Sequence, residues 1–389
     1  MSTSALVLDG HLASALAAVR DLRARGIRVL VGAPRRTALA LHSRAAALTF
    51  VYPDPKKDLN AYLEVVQRVA SEERERTGSQ VVPYFFSDDT FLPFARAASA
   101  TRSAFAWGFA DAEIVETAFD KQGTLALAQR LGLPIPLEAD VHAAGTSYPI
   151  IIKPRHSCVW PERGEAVRGT ASRVYSEGEA RARFDQVKTL MGEAPLIQQC
   201  ISGREVGVFT VCQAGNAQGW FAHQRLLGIH PDGGASSIRE SMTPPSELVE
   251  WSARLLSELG WSGPAMVEWK YDEDANTYRL MEINGRWWGS LPLTLASQYP
   301  VVWLWYVISI RGSEAGLETA IDRRQVRAIH SLAVVKCLLT CLRLGRFRDA
   351  GRAITLGLPS KNYTVKDDVF SWRDPMPAIW EVIDVVARG

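Results

Sequence analysis

Long hydrophobic runs, paired cysteines, a surplus of one charge and a glycine-rich nucleotide fingerprint are all missing from this chain of 389 residues. The longest apolar run, Val301 to Ile310, is about half of what a bilayer-crossing helix needs, so no membrane span is expected. Five cysteines, an odd number with no Cys-x-x-Cys pair, point to a reducing compartment. Cys337 and Cys341 lie one helical turn apart, but with no further ligand nearby they read as core packing rather than a metal site. A net charge of +2 leaves no basic excess to displace counterions, which argues against a nucleic-acid partner. The segment Met1 to Gly10 has no basic residue and carries Asp9, so it is not read as a secretory signal, and a cytoplasmic location is expected. Internal repeats and low-complexity stretches are absent too.

What is present is the composition of a soluble globular protein, 47% hydrophobic and 22% charged. The length exceeds one ordinary core, so two or three domains are expected.

Ala5 to Asp9 reads as a buried strand, Ala13 to Arg25 as a helix stopped by Gly26, and Ile27 to Val31 as the next strand. This β-α-β opening requires a parallel sheet. Glu64 to Arg76 reads as a second helix, and Val81 to Phe86 as a strand ending at Ser87-Asp88-Asp89, the carboxyl edge where open α/β sheets place ligands. The first turn is Asp9-Gly10-His11-Leu12-Ala13, so the topology of a dinucleotide domain is there without its fingerprint. From Phe119 the texture changes. A helix over Lys121 to Leu131 is followed by strands at 149–153, 172–175, 196–199, 205–212, 221–227, 266–271 and 278–284, largely antiparallel, with helices Ala180 to Met191 and Ser246 to Leu259 between them. After Pro300 the chain is expected to be mostly helical, with Trp372 and Pro375-Met376-Pro377 packing the tail onto the sheet.

The stretch Arg279 to Arg286 puts Glu282, Asn284 and Arg286 at alternating positions of a strand, hence on one side. Two hard oxygen donors beside a guanidinium suit a magnesium ion and phosphate; they equally suit an edge strand with a wet face. Glu268 lies on the preceding strand. If the two strands pair, the carboxylates converge, and convergence without a cation would push one toward protonation. Lys153 closes the apolar run Ile150-Ile151-Ile152, and Lys121 opens a helix; each is either a phosphate-facing charge or a solvated lysine. Leu196 to Glu205 reads as strand, turn and strand, either a purine-edge hinge or a plain hairpin. His223-Gln224-Arg225 precedes the glycine-rich segment Pro231 to Ser237, where Arg225 suits a carboxylate and Gly234 a close anion, or the whole is a surface loop. Arg343, Arg346, Arg348 and Arg352 form a basic patch, either a solvated helix face or a contact for an acidic substrate or membrane surface.

Taken in order, these motifs resemble the ATP-grasp superfamily of carboxylate–amine ligases over roughly residues 119–290. The resemblance implies an α/β (α+β) ATP-grasp fold with an N-terminal Rossmann-like domain and a helical C-terminal extension. The expected division is 1–115 for the Rossmann-like domain, 116–200 for the small lid subdomain, 201–300 for the large subdomain and 301–389 for the helical region. Lys121 and Lys153 look like the family's phosphate-binding lysines. The hinge aligns without a gap to the D-alanine–D-alanine ligase pattern, so Gln198, Gln199 and Ile201 are implied to meet adenine and Glu205 the ribose. Glu282 and Asn284 match the metal-binding Glu-x-Asn, Glu268 the third ligand, and Arg286 the Glu-x-Asn-x-Arg form of biotin carboxylase. Residues 223–241 and Trp287-Trp288-Gly289-Ser290 resemble the uncharacterised carboligase branch that includes D-aspartate ligase, which implies substrate contacts at His223, Arg225, Gly234, Ser236 and Arg286.

The implied cofactors are ATP and Mg2+, with Mn2+ as a substitute; Lys153 and Arg286 would be catalytic, the partners a small-molecule carboxylate and an amine, and a homodimer is compatible. The chain departs from the pattern at Gln198, where a glutamate is usual, and in the phosphate loop 156–169, where Arg163 and Arg168 stand in for a Gly-Ser-rich backbone. Trp287 and Trp288 either wall the acceptor pocket or fill the core. A bicarbonate-using carboxylase or carbamoyl-phosphate-type enzyme, a nucleotide-binding protein without turnover and a nicotinamide-dependent oxidoreductase are the other classes weighed.

Overall fold

The apolar runs of the N-terminal region pair as a parallel sheet, as the β-α-β opening requires. A computed structural model describes residues 3–141, 146–161, 165–230, 233–312, 325–359 and 363–387. Strands β1 (Ala5–Val7), β2 (Val29–Ala33), β3 (Leu48–Val51) and β4 (Val82–Tyr84) lie in the order β3-β2-β1-β4, with helices Ala13–Ala24 and Leu59–Thr77 among the crossovers. The second helix is longer than Glu64 to Arg76, because Asp58 caps it through Ala61 N–H and Gly78, at φ 70°, ends it. Asp9 stands at the carboxyl edge with φ 56°. Its carboxylate accepts from Phe86 N–H at 2.9 Å, Ser87 Oγ at 2.9 Å and Thr90 Oγ1 at 2.6 Å, fixing the ends of β1 and β4 together.

The middle of the chain forms a small antiparallel sheet. Strands β5 (Ile150–Lys153), β6 (Cys158–Val159), β7 (Val167–Arg168), β8 (Ser172–Val174) and β9 (Leu196–Gln199) give the order β8-β5-β9, with β6 and β7 as a separate hairpin. Helix Glu177–Met191 covers it, and Ile150, Ile152, Val174, Ala180, Val187 and Met191 make a core of their own.

The rest builds a large sheet from β10 (Glu205–Gln213), β11 (Asn216–Ala217), β12 (Phe221–His230), β13 (Gly233–Met242), β14 (Gly263–Asp272), β15 (Thr277–Asn284), β16 (Val326–Ile329) and β17 (Thr364–Asp367). The order is β15-β14-β10-β12-β13-β16-β17, antiparallel except for β16 and β17, with β11 on β10.

Two expectations need correction. The glycine-rich segment is not a loop from Gly233 onward but the start of β13; register shifts after Arg225 absorb the glycines, while Pro231 and Asp232 lie outside the described residues. The region after Pro300 is mostly helical, as expected, and also adds two short strands to the large sheet. The tail does not dock on the sheet: Trp372 is 88% exposed, and helix Met376–Val386 meets the N-terminal region. There Asp384 pairs with Arg35 at 2.5 Å and Trp380 stacks on His42 at 3.7 Å, because charge and ring partners lie on that side.

Candidate active site

Strand register decides where the acids go. Glu268 on β14 stands opposite Glu282 on β15, Gly207 on β10 opposite Glu268, and His223 on β12 opposite Gly207. Directly opposed residues share a face, so these four form one row across the large sheet. Asn284 lies on the same side as Glu282, and its Nδ2 donates to Glu268 Oε1 at 3.0 Å and Glu282 Oε1 at 3.3 Å. The two carboxylates therefore converge. Burial, and then the neighbouring Glu282, push the Glu268 carboxyl up to about 7. Two half-buried acids and an amide on one face form a hard-donor set of the kind divalent cations take, and the repulsion between the acids is what such a cation relieves. Among the described residues no three His, Cys, Asp or Glu gather to hold a metal, so here the third donor would have to be the amide of Asn284. One detail departs from the sequence reading: the amide nitrogen of Asn284 faces the acids, while its oxygen accepts from Arg286 Nη2 at 2.9 Å. Adjacent carboxylates draw the donor end of the amide.

Two lysines face this pair. Lys153, at the buried end of β5, donates to Met281 O at 3.2 Å, so the small sheet reaches across to β15. Burial lowers its pKa to about 8, with Glu282 working against that shift and Lys121 adding to it. Lys121 begins the helix Lys121–Arg130; its Nζ lies 2.9 Å from Ser157 Oγ and 3.6 Å from Glu282 Oε2. Asp120 caps that helix and is gripped by Arg155 at 2.6 and 2.5 Å, which anchors the lysine's backbone.

Arg286 is fixed from three sides. Its Nε pairs with Asp88 Oδ1 at 3.0 Å, Nη2 with Asn284, and Nη1 with Trp287 O at 3.2 Å. Asp88 comes from the parallel sheet's carboxyl edge. The sequence marks that edge as a ligand position but gives no sign of this partner. Gly285 precedes the arginine because any Cβ there would sit 2.5 Å from Trp261.

The hinge residues divide. Gln198 is buried with Oε1 lacking a partner, and Ile201 is buried beside it in sequence. Gln199 does not aim a side chain inward: it is exposed, and its N–H donates to Leu137 O at 2.9 Å. Glu205 is held by Arg225 and by Lys270 at 3.2 Å. Arg225, read as a carboxylate binder, also donates to the Gly234 carbonyl. Ser236 donates to Ile238 O at 3.1 Å. His223 is buried edge-on against Phe209 at 4.8 Å, and burial, followed by Arg239, drops its pKa to about 3, so the ring is neutral with Nδ1 unpartnered.

Arg239, opposite Arg225 in register and paired with Asp368 at 2.5 Å, has no signal in the sequence, since the glycine-rich segment just before it hides the strand that carries it. Arg168 pairs with Asp89 at 3.5 Å, and Arg163 lies outside the described residues. Trp287 and Trp288 are fully buried core.

A cavity of about 1370 Å³ joins these groups, walled by Lys153, Gln198, Glu205, Glu268, Glu282 and Arg286 on one side and by Asp9 and Asp89 of the parallel sheet on the other. Asn284, His223, Arg225, Gly234 and Ser236 line it as well; Lys121 does not. It exceeds what one drug-sized ligand needs, so there is room for more than one reactant.

A small antiparallel sheet and a large one closing on a lysine and two acids, behind a Rossmann-like sheet, define the ATP-grasp fold. The fold implied by the sequence motifs is the fold observed. No family model matches the sequence, and none of the curated proteins matches it. Solved structures do. An L-amino acid ligase from Bacillus licheniformis superposes with a TM-score of 0.59 at 16% identity, covering 84% of this chain and 79% of that one. A biotin carboxylase from Campylobacter jejuni, in complex with beta-gamma-ATP, gives 0.63 at 15% identity, covering 83% and 74%. The biotin carboxylase domain dimer of 2-oxoglutarate carboxylase from Hydrogenobacter thermophilus, solved with MgADP, ADP and bicarbonate, gives 0.59 at 15%, covering 82% and 73%. At such identities the shared property is the fold.

Proposed function

We propose that this protein is an ATP-dependent ligase that phosphorylates a substrate carboxylate and joins the acyl phosphate to an amine, releasing ADP and phosphate. The observation that carries the reading is the meeting of Glu268, Glu282 and Asn284 with Lys153 and Lys121 beside a fixed Arg286. A carboxylate resists amines near neutral pH, because the amine takes its proton and oxide is a poor leaving group. Phosphorylation supplies a leaving group, and it asks of the protein mainly positioning and charge neutralisation.

Glu268, Glu282 and Asn284 would hold magnesium, or manganese in its place, and the ion would supply positive charge to neutralise phosphate. Lys121 and Lys153 take non-bridging oxygens as point charges. The unpartnered Gln198 Oε1 suits the adenine amine, Ile201 the face of the base, and Glu205 the ribose hydroxyls, while Gln199 contributes main chain only. Arg286, oriented by Asp88, steadies the transferred phosphoryl group and the oxygen of the tetrahedral intermediate. His223, Arg225, Gly234 and Ser236 wall the substrate end of the cavity. Its size and the L-amino acid ligase neighbour support amino acids or similar small metabolites as reactants.

The carboxylase neighbours support a second reading in which bicarbonate is the carboxylate. ADP release measured over amino acids and small carboxylates, with product mass, tests both. Release that needs a carboxylate and an amine together is expected. Release with bicarbonate and no amine would transfer the site to the second reading, and none with any pair would reduce it to nucleotide binding.

A further inference from the structure

The helices Ser331–Arg343 and Phe347–Gly357 pack as a hairpin with a very small core, Cys337, Cys341 and Ala350, against which only Leu227 and Leu338 rest among the described residues. Many of the hairpin's other large apolar residues turn outward. Val335, Leu339 and Leu342 are about half exposed, Phe347 is 70% exposed, and Ile354 and Leu358 are again about half exposed. Spacings of four and three put Val335, Leu339 and Leu342 on one stripe of the first helix, a spacing of seven does the same for Phe347 and Ile354 on the second, and Leu358 follows just past its end. Cations border both stripes. Lys336 and Arg343 follow Val335 and Leu342 by one position, Arg348 follows Phe347, and Arg352 lies one turn further on; all four are exposed.

From 331 to 358 there are five cations and one acid, Asp349, which pairs with Arg346 at 2.6 Å. The hairpin thus holds +4 in a chain whose total is +2. Each helix is far too short to cross a bilayer, and no described helix is long and apolar enough to do so.

We propose that this hairpin lies in the plane of an anionic lipid surface, its apolar stripes among the upper acyl chains and its four bordering cations at the phosphates. Charge decides against the other obvious occupant. A two-fold contact between copies apposes a patch with itself, which would bring +4 against +4. The proposal is independent of the ligase reading, since none of these residues belongs to the row of acids or to the lysine pair.

Co-sedimentation of the full chain with vesicles of equal parts phosphatidylcholine and phosphatidylglycerol tests it. Binding is expected at low salt, with weakening as salt rises and little on phosphatidylcholine alone. Arg348→Ala with Arg352→Ala is expected to lower vesicle affinity roughly thirtyfold. Leu339→Ser with Phe347→Ser is expected to abolish binding while leaving thermal unfolding and ADP release unchanged, because all four side chains lie at the surface. Absence of sedimentation, equal sedimentation on both vesicle types, or a concentration-dependent dimer that Phe347→Ser dissolves would each overturn the proposal. The last would give the face to a second copy.

Discussion

Asp88 and Arg286 are 198 positions apart in the chain and meet at 3.0 Å, so an acid from the parallel sheet aims the guanidinium that follows the last strand of acids. The contact is one of several between the parallel-sheet region and the large sheet; beside it Trp287 N–H donates to Phe85 O at 3.1 Å. It makes the arginine's direction dependent on the carboxyl edge of the parallel sheet.

Removing either partner should therefore affect chemistry more than binding. Arg286→Ala is expected to lower kcat by about 100- to 1000-fold with little change in the KM for nucleotide. Asp88→Asn keeps the shape and loses the charge; a fall of roughly tenfold in kcat is expected, since the arginine retains Asn284 and Trp287 O. Steady-state kinetics on both variants checks this. Equal effects on kcat and KM would make Arg286 a ground-state binder.

Glu282→Gln is expected to cost roughly a hundredfold or more in turnover while nucleotide still binds. Equilibrium nucleotide binding beside the turnover assay separates the two, and an unchanged rate would remove the metal role from β15.

Glu268 ties the metal role to stability. Its folded pKa of about 7 lies above the ordinary 4.5, so the stability linked to its proton is complete below 4.5 and lost as pH rises through 7. At pH 8 without divalent cation, Glu268→Gln is expected to be more stable than the parent by about 1–3 kcal/mol. Thermal melts across pH should be flatter for the variant, and Mg2+ should raise the Tm of the parent but not of Glu268→Gln.

Lys153 gives the opposite dependence in function. Its pKa of about 8 is depressed from 10.5, so its stability contribution is present above 10.5 and lost as pH falls through 8. Phosphate needs the charged form. Nucleotide affinity is expected to be level below about 8 and to fall by up to about tenfold per pH unit above it. Titration calorimetry on Lys153→Met should show weak binding without that limb.

Gly207 keeps the row of acids in reach of His223. A Cβ there would lie 2.8 Å from the Phe209 ring and 3.0 Å from His223 Nε2. Gly207→Ala is expected to cost about 1–3 kcal/mol in stability, read from denaturant unfolding. Displacing His223 should also raise the KM of the carboxylate or amine and leave that of nucleotide unchanged.

Much of this was legible in the residues. The alternation of Glu282, Asn284 and Arg286 required a shared face, and Ile150-Ile151-Ile152 before Lys153 required a lysine at a buried strand mouth. The first parallel strands followed from apolar runs and helical spacing. Other features were hidden for definite reasons. Glycines at 233 and 234 mimic a turn, and only pairing with β12 shows them to be strand, so the register that brings Arg239 opposite Arg225 could not be read. The resemblance implies an adenine contact at Gln199, but alternation puts its side chain opposite that of the buried Gln198, and it is exposed.

Local chemistry and most of the local order were thus determined by the sequence alone: the apolar strands and the spaced helices, which residue types sit on one side of each strand, and which of them suit phosphate and a hard cation. Tertiary structure decided which sides face each other. Glu268 meets Glu282 because β14 and β15 pair in one register of several that their apolar pattern allows, and Asp88 meets Arg286 because the carboxyl edge of the parallel sheet lies beside the end of β15. Side-chain alternation is a property of a single strand, whereas register and packing are set by the sum of distant contacts.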